Sequence, residues 1–105
     1  MPYGVRPVVY LSFFCAVFRR ELLDKIGLLD ELFFHYGCDN DYCLRTLQAG
    51  FRPVYAQHVW VEHRKSPQIR KWKNHDVLAF REKWGGSTGV VAQRFLKEYP
   101  KCFSQ

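Results

Sequence analysis

Several kinds of segment are missing from this sequence. No apolar run is long enough to cross a membrane as a helix, the longest being PVVYLSFFCAVF at residues 7–18. That run follows Arg6 and could pass for the core of a secretory signal peptide, but RRELLDK comes after it in place of a small-residue cleavage site. There is no low-complexity tract, internal repeat or linker. Because β-branched and aromatic residues dominate residues 7–18, we interpret them as a buried strand.

Motifs that bind metals or build disulfide frameworks are lacking too. The sequence has no cysteine pair at CxxC spacing and no histidine pair at HExxH spacing. It therefore offers no zinc ribbon, no thioredoxin-like redox site and no zinc-protease helix. The cysteines are Cys15, Cys38, Cys43 and Cys102. We expect them to be mostly buried free thiols in a reducing compartment.

The composition is that of a small folded domain. Hydrophobic residues make up 48% and aromatic residues 17% of the 105 positions, which allows a core and excludes a disordered chain. The net charge of +6 favours an anionic neighbour, which can be a nucleic acid, a membrane surface or a phosphorylated substrate. One hypothesis is a small basic nucleic-acid-binding module, although the RNP, KH, zinc-finger and basic-zipper signatures are all absent.

Hydrophobic periodicity and helix breakers predict the order of elements. The predicted segments are a strand at 7–18, a helix at 19–27, a loop at 28–37 packed onto the core, a helix at 40–49, a strand at 51–63 that starts after Pro53, a turn at 64–67, and helices at 68–84 and 88–99. This is an α/β pattern with few strands, and two or three strands make a poor independent sheet. We expect part of a larger α/β domain, or a protomer that completes its sheet with another copy.

The stretch GCDNDYCLRTLQAG, residues 37–50, places two carboxylates at the start of a predicted helix. A structural interpretation suffices for it: Asp39 is a good N-cap and suits the positive end of the helix dipole. Asp41 and Arg45 have the four-residue spacing of a helical ion pair, and Gly50 suits the left-handed position after a helix. A functional interpretation of the carboxylates needs support from the rest of the chain.

Five pieces of the chain, taken in order, resemble glycosyltransferases of the GT-A fold, family 2 type. They are GLLDELFF at 27–34, CDNDYCLR at 38–45, AGF at 49–51, VWVEH at 59–63 and NHDVLAFREKWGG at 74–86. The resemblance covers residues 8–86 and corresponds to the C-terminal, acceptor-side half of that family's domain. It implies a partial GT-A fold and an inverting transfer of a sugar from a nucleotide-sugar donor to an acceptor hydroxyl.

In this resemblance Asp39 aligns with the family's general base, the carboxylate that takes a proton from the acceptor hydroxyl. Such a base must be fixed within hydrogen-bond reach of the hydroxyl, and a rigid helix start provides that fixation. Asp41 aligns with the next acidic position and is predicted to hold the loop, to pair with Arg45 or to bind substrate. The sequence departs from the family at Cys38, where the family has a glutamate, and the departure bears on acceptor binding.

Three further residues receive roles from the resemblance, and a fourth is a candidate because of its aromatic side chain. His63, at the end of a predicted strand, matches a histidine that helps to bind a divalent metal (Mn²⁺ or Mg²⁺) or the nucleotide diphosphate; the alternative is a surface histidine. Asp30 and Glu31 match the family's Asp-Glu pair and are predicted to shape the loop beneath the acceptor site or to contact the sugar. Trp60 is a candidate for stacking on a sugar, with core packing as the alternative.

The family's nucleotide-binding half and its metal-binding DxD motif have no counterpart in the sequence. We therefore expect the C-terminal portion of a glycosyltransferase, which can be a truncated gene product, a split partner or a partial sequence. It is expected to be inactive alone, with most metal ligands supplied elsewhere. The expected partners are a nucleotide-sugar donor and a glycan or lipid-linked acceptor, with no specific nucleic acid. The basic run HRKSPQIRKWK at 63–73 is a solvated face or contacts an anionic membrane leaflet. The expected location is cytoplasmic or peripheral to the inner membrane, with the Golgi lumen as the alternative if a membrane anchor lies upstream. For the function, a non-catalytic interaction domain of the same fold remains the alternative.

Overall fold

The structure is a computed structural model that describes residues 4–64 and 70–103. The elements in chain order are β1 (Val5–Pro7), α1 (Arg20–Ile26), α2 (Cys38–Gln48), β2 (Val54–Ala56), α3 (Lys73–Trp84), α4 (Thr88–Glu98) and a 3-10 turn (Pro100–Cys102). This mixture of helices and strands is compatible with the predicted α/β class. Among the described residues, no helix has the length and apolar character needed to span a membrane. Most of the turn predicted at 64–67, and the first residues of the helix predicted at 68–84, lie outside the described residues.

The sheet is far smaller than the sequence predicts. β1 and β2 pair antiparallel in a two-stranded sheet, with Val5 opposite Ala56. The strands predicted at 7–18 and 51–63 are wrong over most of their length. A strand needs a hydrogen-bonded neighbour, and the described residues supply one only at and beside these short strands. Val17, which was predicted to be buried, is 98% exposed.

The first helix, α1, lies against α2. Its Leu22 is buried, and Gly27 ends the helix as predicted, with a φ of +80 and its N–H bonded to the carbonyl oxygen of Leu23. The hydroxyl of Tyr42, on α2, donates to the carbonyl oxygen of Gly27 at 2.7 Å. The first residue of the loop that follows α1 is therefore bound to α2.

The helix α2 begins at Cys38, earlier than predicted, and its N-cap residue is Gly37 with a φ of +81. No side chain caps the helix, so the predicted capping role of Asp39 is wrong, and this residue lies inside the first turn. A carboxylate at that position still suits the positive end of the helix dipole. After the helix, Gly50 has a φ of +90, which confirms the left-handed position predicted for it.

The last two helices pack against each other. α3 begins later than predicted and ends at Gly85, whose φ is +77, as expected for a terminating glycine. α4 matches its predicted bounds to within one residue. The Ser87 side chain caps α4 by accepting the N–H of Val90 at 3.3 Å.

One apolar cluster joins the loop before α2 to the three longer helices. Its buried members are Phe33 from the loop, Leu44 and Leu47 from α2, Phe80 from α3, and Val91 and Phe95 from α4. The burial of Phe33 confirms that the loop predicted at 28–37 packs onto the core. The start of α2 is therefore attached to the core through the loop that precedes it.

The cysteines are free thiols, as predicted. Only Cys43 is buried, whereas Cys38 and Cys102 are half-buried and Cys15 is exposed, so the prediction that most of them are buried is wrong. Cys43 lies on α2, where its Sγ accepts the N–H of Leu11 at 3.3 Å. This bond attaches the chain before α1 to α2.

Candidate functional site

The two aspartates in the first turn of α2 have different surroundings. Asp41 is fully buried, and its carboxylate accepts the Nε1–H of Trp84 at 2.9 Å and contacts the Nζ of Lys83 at 2.7 Å. Asp39 is only half-buried. Among the described residues, the N–H of Asn40, at 2.9 Å, is the one hydrogen-bond donor to the Asp39 carboxylate. Asp39 therefore keeps acceptor capacity for an outside group, whereas Asp41 uses its capacity within the chain.

Lys83 of α3 connects α2 to the loop before it. Its ammonium lies 2.7 Å from Asp41 and 2.6 Å from Asp30. Burial alone would lower the pKa of Lys83, but the hydrogen bonds to the two carboxylates outweigh burial and raise this pKa. The hydrogen bonds from Lys83 and from the N–H of Leu32 hold the pKa of Asp30 below its usual range. The predicted loop residue Asp30 and the predicted helix residue Asp41 thus share one cation.

Arg45 confirms the ion pair predicted with Asp41, at a distance of 3.5 Å. Its guanidinium also donates to the carbonyl oxygens of Ile26 at 2.6 Å and Leu28 at 3.1 Å. These bonds hold the end of α1, and the chain that follows it, against α2. Arg45 and Lys83 together therefore fix the first part of the loop between the two helices.

A second buried carboxylate fixes the last part of that loop. Asp76, in the first turn of α3, accepts the successive backbone N–H groups of Phe34 at 3.0 Å, His35 at 2.8 Å and Tyr36 at 2.7 Å. The Nδ1 of His75 lies 2.9 Å from the same carboxylate. Burial alone would raise the pKa of Asp76, but these hydrogen bonds outweigh burial and lower the pKa from 3.8 to about 2.

Sequence reasoning misses Asp76. In the sequence Asp76 falls in the middle of the helix predicted at 68–84, where a polar residue is expected without any contact to another segment. Its partner Tyr36 is 40 residues away in the sequence. No periodic pattern shows a pairing over such a separation.

Two thiols lie near the Asp39 carboxylate. Burial and, to a smaller extent, the charge of Asp39 raise the pKa of Cys38. Burial, with a smaller contribution from Asp39, raises the pKa of Cys43 to about 11. Both side chains are therefore neutral thiols near pH 7, and neither adds a second negative charge beside the Asp39 carboxylate.

An apolar cleft of about 370 Å³ runs along one face of α2. Tyr42, Cys43 and Thr46 line it, and they follow Asp39 at the three-, four- and seven-residue spacings of a single helix face. The lining also includes Leu11, Phe18, Arg19 and Arg52. Asp39 therefore stands one helical turn beyond the cleft, on the face that the cleft covers.

The other predicted site residues lie apart from this group. Glu31 is exposed, and Trp60 is 93% exposed, so its alternative role in core packing is wrong. The ring of His63 stacks on Phe14 with 4.4 Å between ring centroids and 9° between ring planes. Among the described residues, Glu31, Trp60 and His63 share no hydrogen bond, ion pair or ring contact with Asp39.

Metal ligands do not converge in the described part of the chain. Within it, no group of three or more His, Cys, Asp and Glu side chains could hold a metal ion. His63 therefore belongs to no such group among these residues. A complete shell for Mn²⁺ or Mg²⁺ would need further ligands, mainly oxygens, from outside these residues.

Comparison with curated proteins finds relatives among mycobacterial glycosyltransferases. The chain is 32% identical over 87 residues to the pre-mycofactocin glycosyltransferase of Mycobacterium tuberculosis, an alignment that covers 83% of this chain and 17% of the relative. It is 38% identical over 61 residues to the N-acetylglucosaminyl-diphospho-decaprenol L-rhamnosyltransferase of the same organism, covering 58% of this chain and 20% of the relative. No family model and no solved structure matches the chain. These matches support a glycosyltransferase family, and they span about a fifth of the length of the relatives.

Proposed function

We propose that this chain is the acceptor-side portion of an inverting glycosyltransferase of the GT-A fold, family 2 type. The glycosyltransferase relatives support the reaction class. The observation that carries the proposal is the contrast between two carboxylates in one helical turn. Asp41 is fully buried, and its carboxylate is bound to other side chains of this chain. Asp39 is partly exposed, and its carboxylate can accept further hydrogen bonds. A general base needs this combination of a fixed backbone and a free oxygen.

In the proposed reaction, Asp39 takes the proton of the acceptor hydroxyl while that oxygen attacks the anomeric carbon of the donor sugar. The new carbon–oxygen bond forms on one face of the sugar, and the bond to the nucleotide diphosphate breaks on the opposite face, so the configuration inverts. The electron pair of the broken bond leaves with the diphosphate, and the proton stays on Asp39. The bonds of Asp41 to α3 restrain the turn that carries the base, which limits the loss of alignment during attack.

We propose a nucleotide sugar as donor and a glycan or lipid-linked saccharide as acceptor. The rhamnosyltransferase relative is named for an acceptor on diphospho-decaprenol, which joins a saccharide to a long apolar chain. The apolar cleft suits an acceptor of this class, because the helix face that it covers leads to Asp39. Arg52 in its wall provides positive charge for a diphosphate group, whereas Arg19 is paired with Glu21 at 2.8 Å.

The remaining predicted residues have supporting roles in the proposal. Asp30 acts through the loop that it fixes with Lys83. Glu31 and the exposed indole of Trp60 are available to an acceptor saccharide, for which an aromatic face is a suitable surface. The described residues do not form a metal site by themselves, so Mn²⁺ or Mg²⁺ would depend on ligands from elsewhere, with His63 as the contribution of this chain.

Donor binding is proposed to lie outside this chain. The aligned part is about a fifth of each relative, and the two-stranded sheet is small for an independent α/β domain. Another part of a longer protein, or another chain, would complete the sheet. The proposed location is cytoplasmic and peripheral to the inner membrane, where the net charge of +6 favours anionic headgroups.

The proposal is tested by sugar transfer with the variants Asp39→Asn and Asp24→Asn. The chain is joined to the donor-binding portion of a family 2 glycosyltransferase, and transfer from a panel of nucleotide sugars to lipid-linked and free saccharides is measured. Because an asparagine side chain cannot take the proton, Asp39→Asn should slow transfer by about 10²- to 10⁴-fold at an unchanged melting temperature. Asp24→Asn makes the same chemical change on an exposed position of α1 and should leave the rate unchanged.

Unchanged transfer in Asp39→Asn would reject this residue as the base. It would favour the interaction-domain alternative, in which the donor-binding portion joined to this chain supplies the catalytic residues. Absence of transfer in the wild-type chain, for all donors and acceptors, would reject the acceptor-side role. Tight binding to generic DNA or RNA that weakens steeply with salt would support the nucleic-acid-binding alternative in its place.

A further inference from the structure

We infer that Asp76 is a positioning residue, which holds residues 34–36 and through them the turn of α2 that carries Asp39. The inference rests on the proposed role of Asp39 as general base. Asp76 lies on α3, and its carboxylate is engaged by the backbone of the preceding loop, so it acts on the base through the chain.

The geometry at Asp76 is that of a carboxylate enclosed by backbone donors. Three successive N–H groups, at residues 34–36, converge on its two oxygens at 2.7 to 3.0 Å. Successive N–H groups that converge in this way form a concavity that binds an anion. Asp76 is 1% exposed, so water competes little for these bonds, and they are stronger than the same bonds at a surface.

The chain between this concavity and the base is short. Tyr36 is followed by Gly37, whose left-handed φ of +81 turns the chain directly into α2. The carbonyl oxygen of Gly37 accepts the N–H of Asp41 at 2.8 Å, which is the first backbone bond of the helix. Asp39 lies inside the loop closed by that bond. A shift of residues 34–36 would therefore be transmitted to Asp39 with few free torsions in between.

Apolar contacts with α3 hold the same segment on both sides of the carboxylate. The Phe34 ring stacks on His75 with 4.0 Å between centroids and 7° between planes. Phe33 is buried against Phe80, with 6.4 Å between ring centroids. These contacts fix the side chains of the segment, and Asp76 fixes its backbone.

The same helix also holds the other side of the turn. Lys83 and Trp84 of α3 contact Asp41, and Asp76 lies about two helical turns before them on α3. α3 therefore contacts the start of α2 at two places. Asp76 binds the loop that precedes α2, and Lys83 and Trp84 bind Asp41 in its first turn. A general base that must stay aligned with an acceptor benefits from a support of this kind.

The test compares Asp76→Asn with Val91→Ala in the 105-residue chain, by hydrogen exchange of backbone amides observed by NMR. Val91 is buried on α4, and its apolar side chain cannot form hydrogen bonds. Val91→Ala therefore lowers global stability without removing any bond to residues 34–36. Conditions are adjusted so that the two variants have equal global stability. We expect the amides of residues 34–36 and of Asp41 to exchange at least about ten-fold faster in Asp76→Asn than in Val91→Ala.

A second measurement uses the transfer assay described above. Asp76→Asn should lower kcat by at least about ten-fold and leave the KM for the donor within about two-fold, because only the alignment of the base is lost. Val91→Ala, assayed well below its melting temperature, should leave both unchanged. Asp76→Glu, which keeps the negative charge, should recover part of the amide protection and part of the kcat.

Equal exchange in the two variants would overturn the inference, because Asp76 would then act on global stability alone. Faster exchange with an unchanged kcat would overturn it as well, since the loop would be held without any effect on the base. If the wild-type chain transfers no sugar, the proposed function fails. In that case exchange at the Asp41 amide alone decides whether Asp76 holds the start of α2.

Discussion

The Nζ atom of Lys83 lies 2.7 Å from the carboxylate of Asp41, which has no exposed side-chain surface, whereas the side chain of Lys83 is 29% exposed. The pair thus crosses the boundary between the interior and water. Because one partner is desolvated, the attraction is screened less than in a surface pair. The same Nζ lies 2.6 Å from Asp30. One cation therefore links α3, α2 and the loop between α1 and α2.

Replacing this cation should destabilise the fold. Lys83→Met retains most of the apolar stem but, within residues 4–64 and 70–103, leaves the Asp41 carboxylate with Trp84 and Arg45 as its polar partners. We expect a loss of about 2 kcal/mol in the free energy of unfolding, below the ~3–5 kcal/mol of a fully buried pair because Lys83 is partly solvated. Urea unfolding measures this change.

A double-mutant cycle with Asp41→Asn separates the ion pair from other effects. If the pair matters, the double variant should be more stable than the sum of the single losses predicts, by at least about 1 kcal/mol. Lys97→Met, on an exposed position of α4, is the matched control and should change stability by less than about 0.5 kcal/mol. Additive losses in the cycle would contradict the assigned pairing.

Asp76 should make the stability of the fold depend on pH in the acid range. Its pKa is 3.8 as an ordinary carboxyl and about 2 in the folded chain. Because folding lowers this pKa, the stabilisation is complete above about pH 4 and is lost as the pH falls toward about 2. The shift corresponds to roughly 2 kcal/mol.

Urea unfolding of the wild type and Asp76→Asn across this pH range measures the effect. The variant has no carboxyl to titrate at this position, so the difference in unfolding free energy between the two proteins should shrink as the pH falls. The remaining carboxyls titrate in both proteins and cancel in the comparison. A difference that stays constant with pH would contradict the hydrogen-bonded carboxylate described for Asp76.

The helices of this fold could be predicted from the sequence because their signals are local. Gly27, Gly50 and Gly85 follow helices at the predicted positions, since a left-handed glycine depends on only a few neighbouring residues. The strands could not, because pairing depends on distant segments. β2 begins after Pro53 as predicted, yet it is only three residues long. The apolar pattern of residues 7–18 is typical of a strand, but the described residues give it little to pair with.

The candidate site divides in the same way. The pair of Asp41 and Arg45 follows from a helical spacing of four residues, and the structure contains it. The contact of Asp30 with Lys83 spans 53 residues and leaves no periodic signal in the sequence. The sequence also does not predict that Asp41 is buried and Asp39 partly exposed. Both residues lie in the first turn of α2, and only tertiary packing distinguishes them.

The backbone at the start of α2 provides a further prediction. Gly37 has a φ of +81, and an added Cβ would lie 3.5 Å from the ring of Phe33, which is an ordinary contact. The cost of Gly37→Ala therefore comes from the backbone and should be about 1–2 kcal/mol. Gly89 is helical and its added Cβ would meet open space, so Gly89→Ala should stabilise the chain by up to about 1 kcal/mol. Thermal unfolding should show a lower stability for Gly37→Ala and a higher stability for Gly89→Ala. An equal loss of stability in both variants would contradict the left-handed turn at Gly37.

The thiols should differ in reactivity according to their surroundings. Cys15 is exposed and should react first with Ellman's reagent at about pH 8. Cys43 is buried, and burial raises its pKa to about 11, so it should react only when the chain unfolds. Cys15→Ser should remove the fastest phase and leave the slow ones intact. Labelling of Cys43 in the folded Cys15→Ser variant, located by peptide mapping, would contradict the burial of Cys43 on α2 beside Leu11.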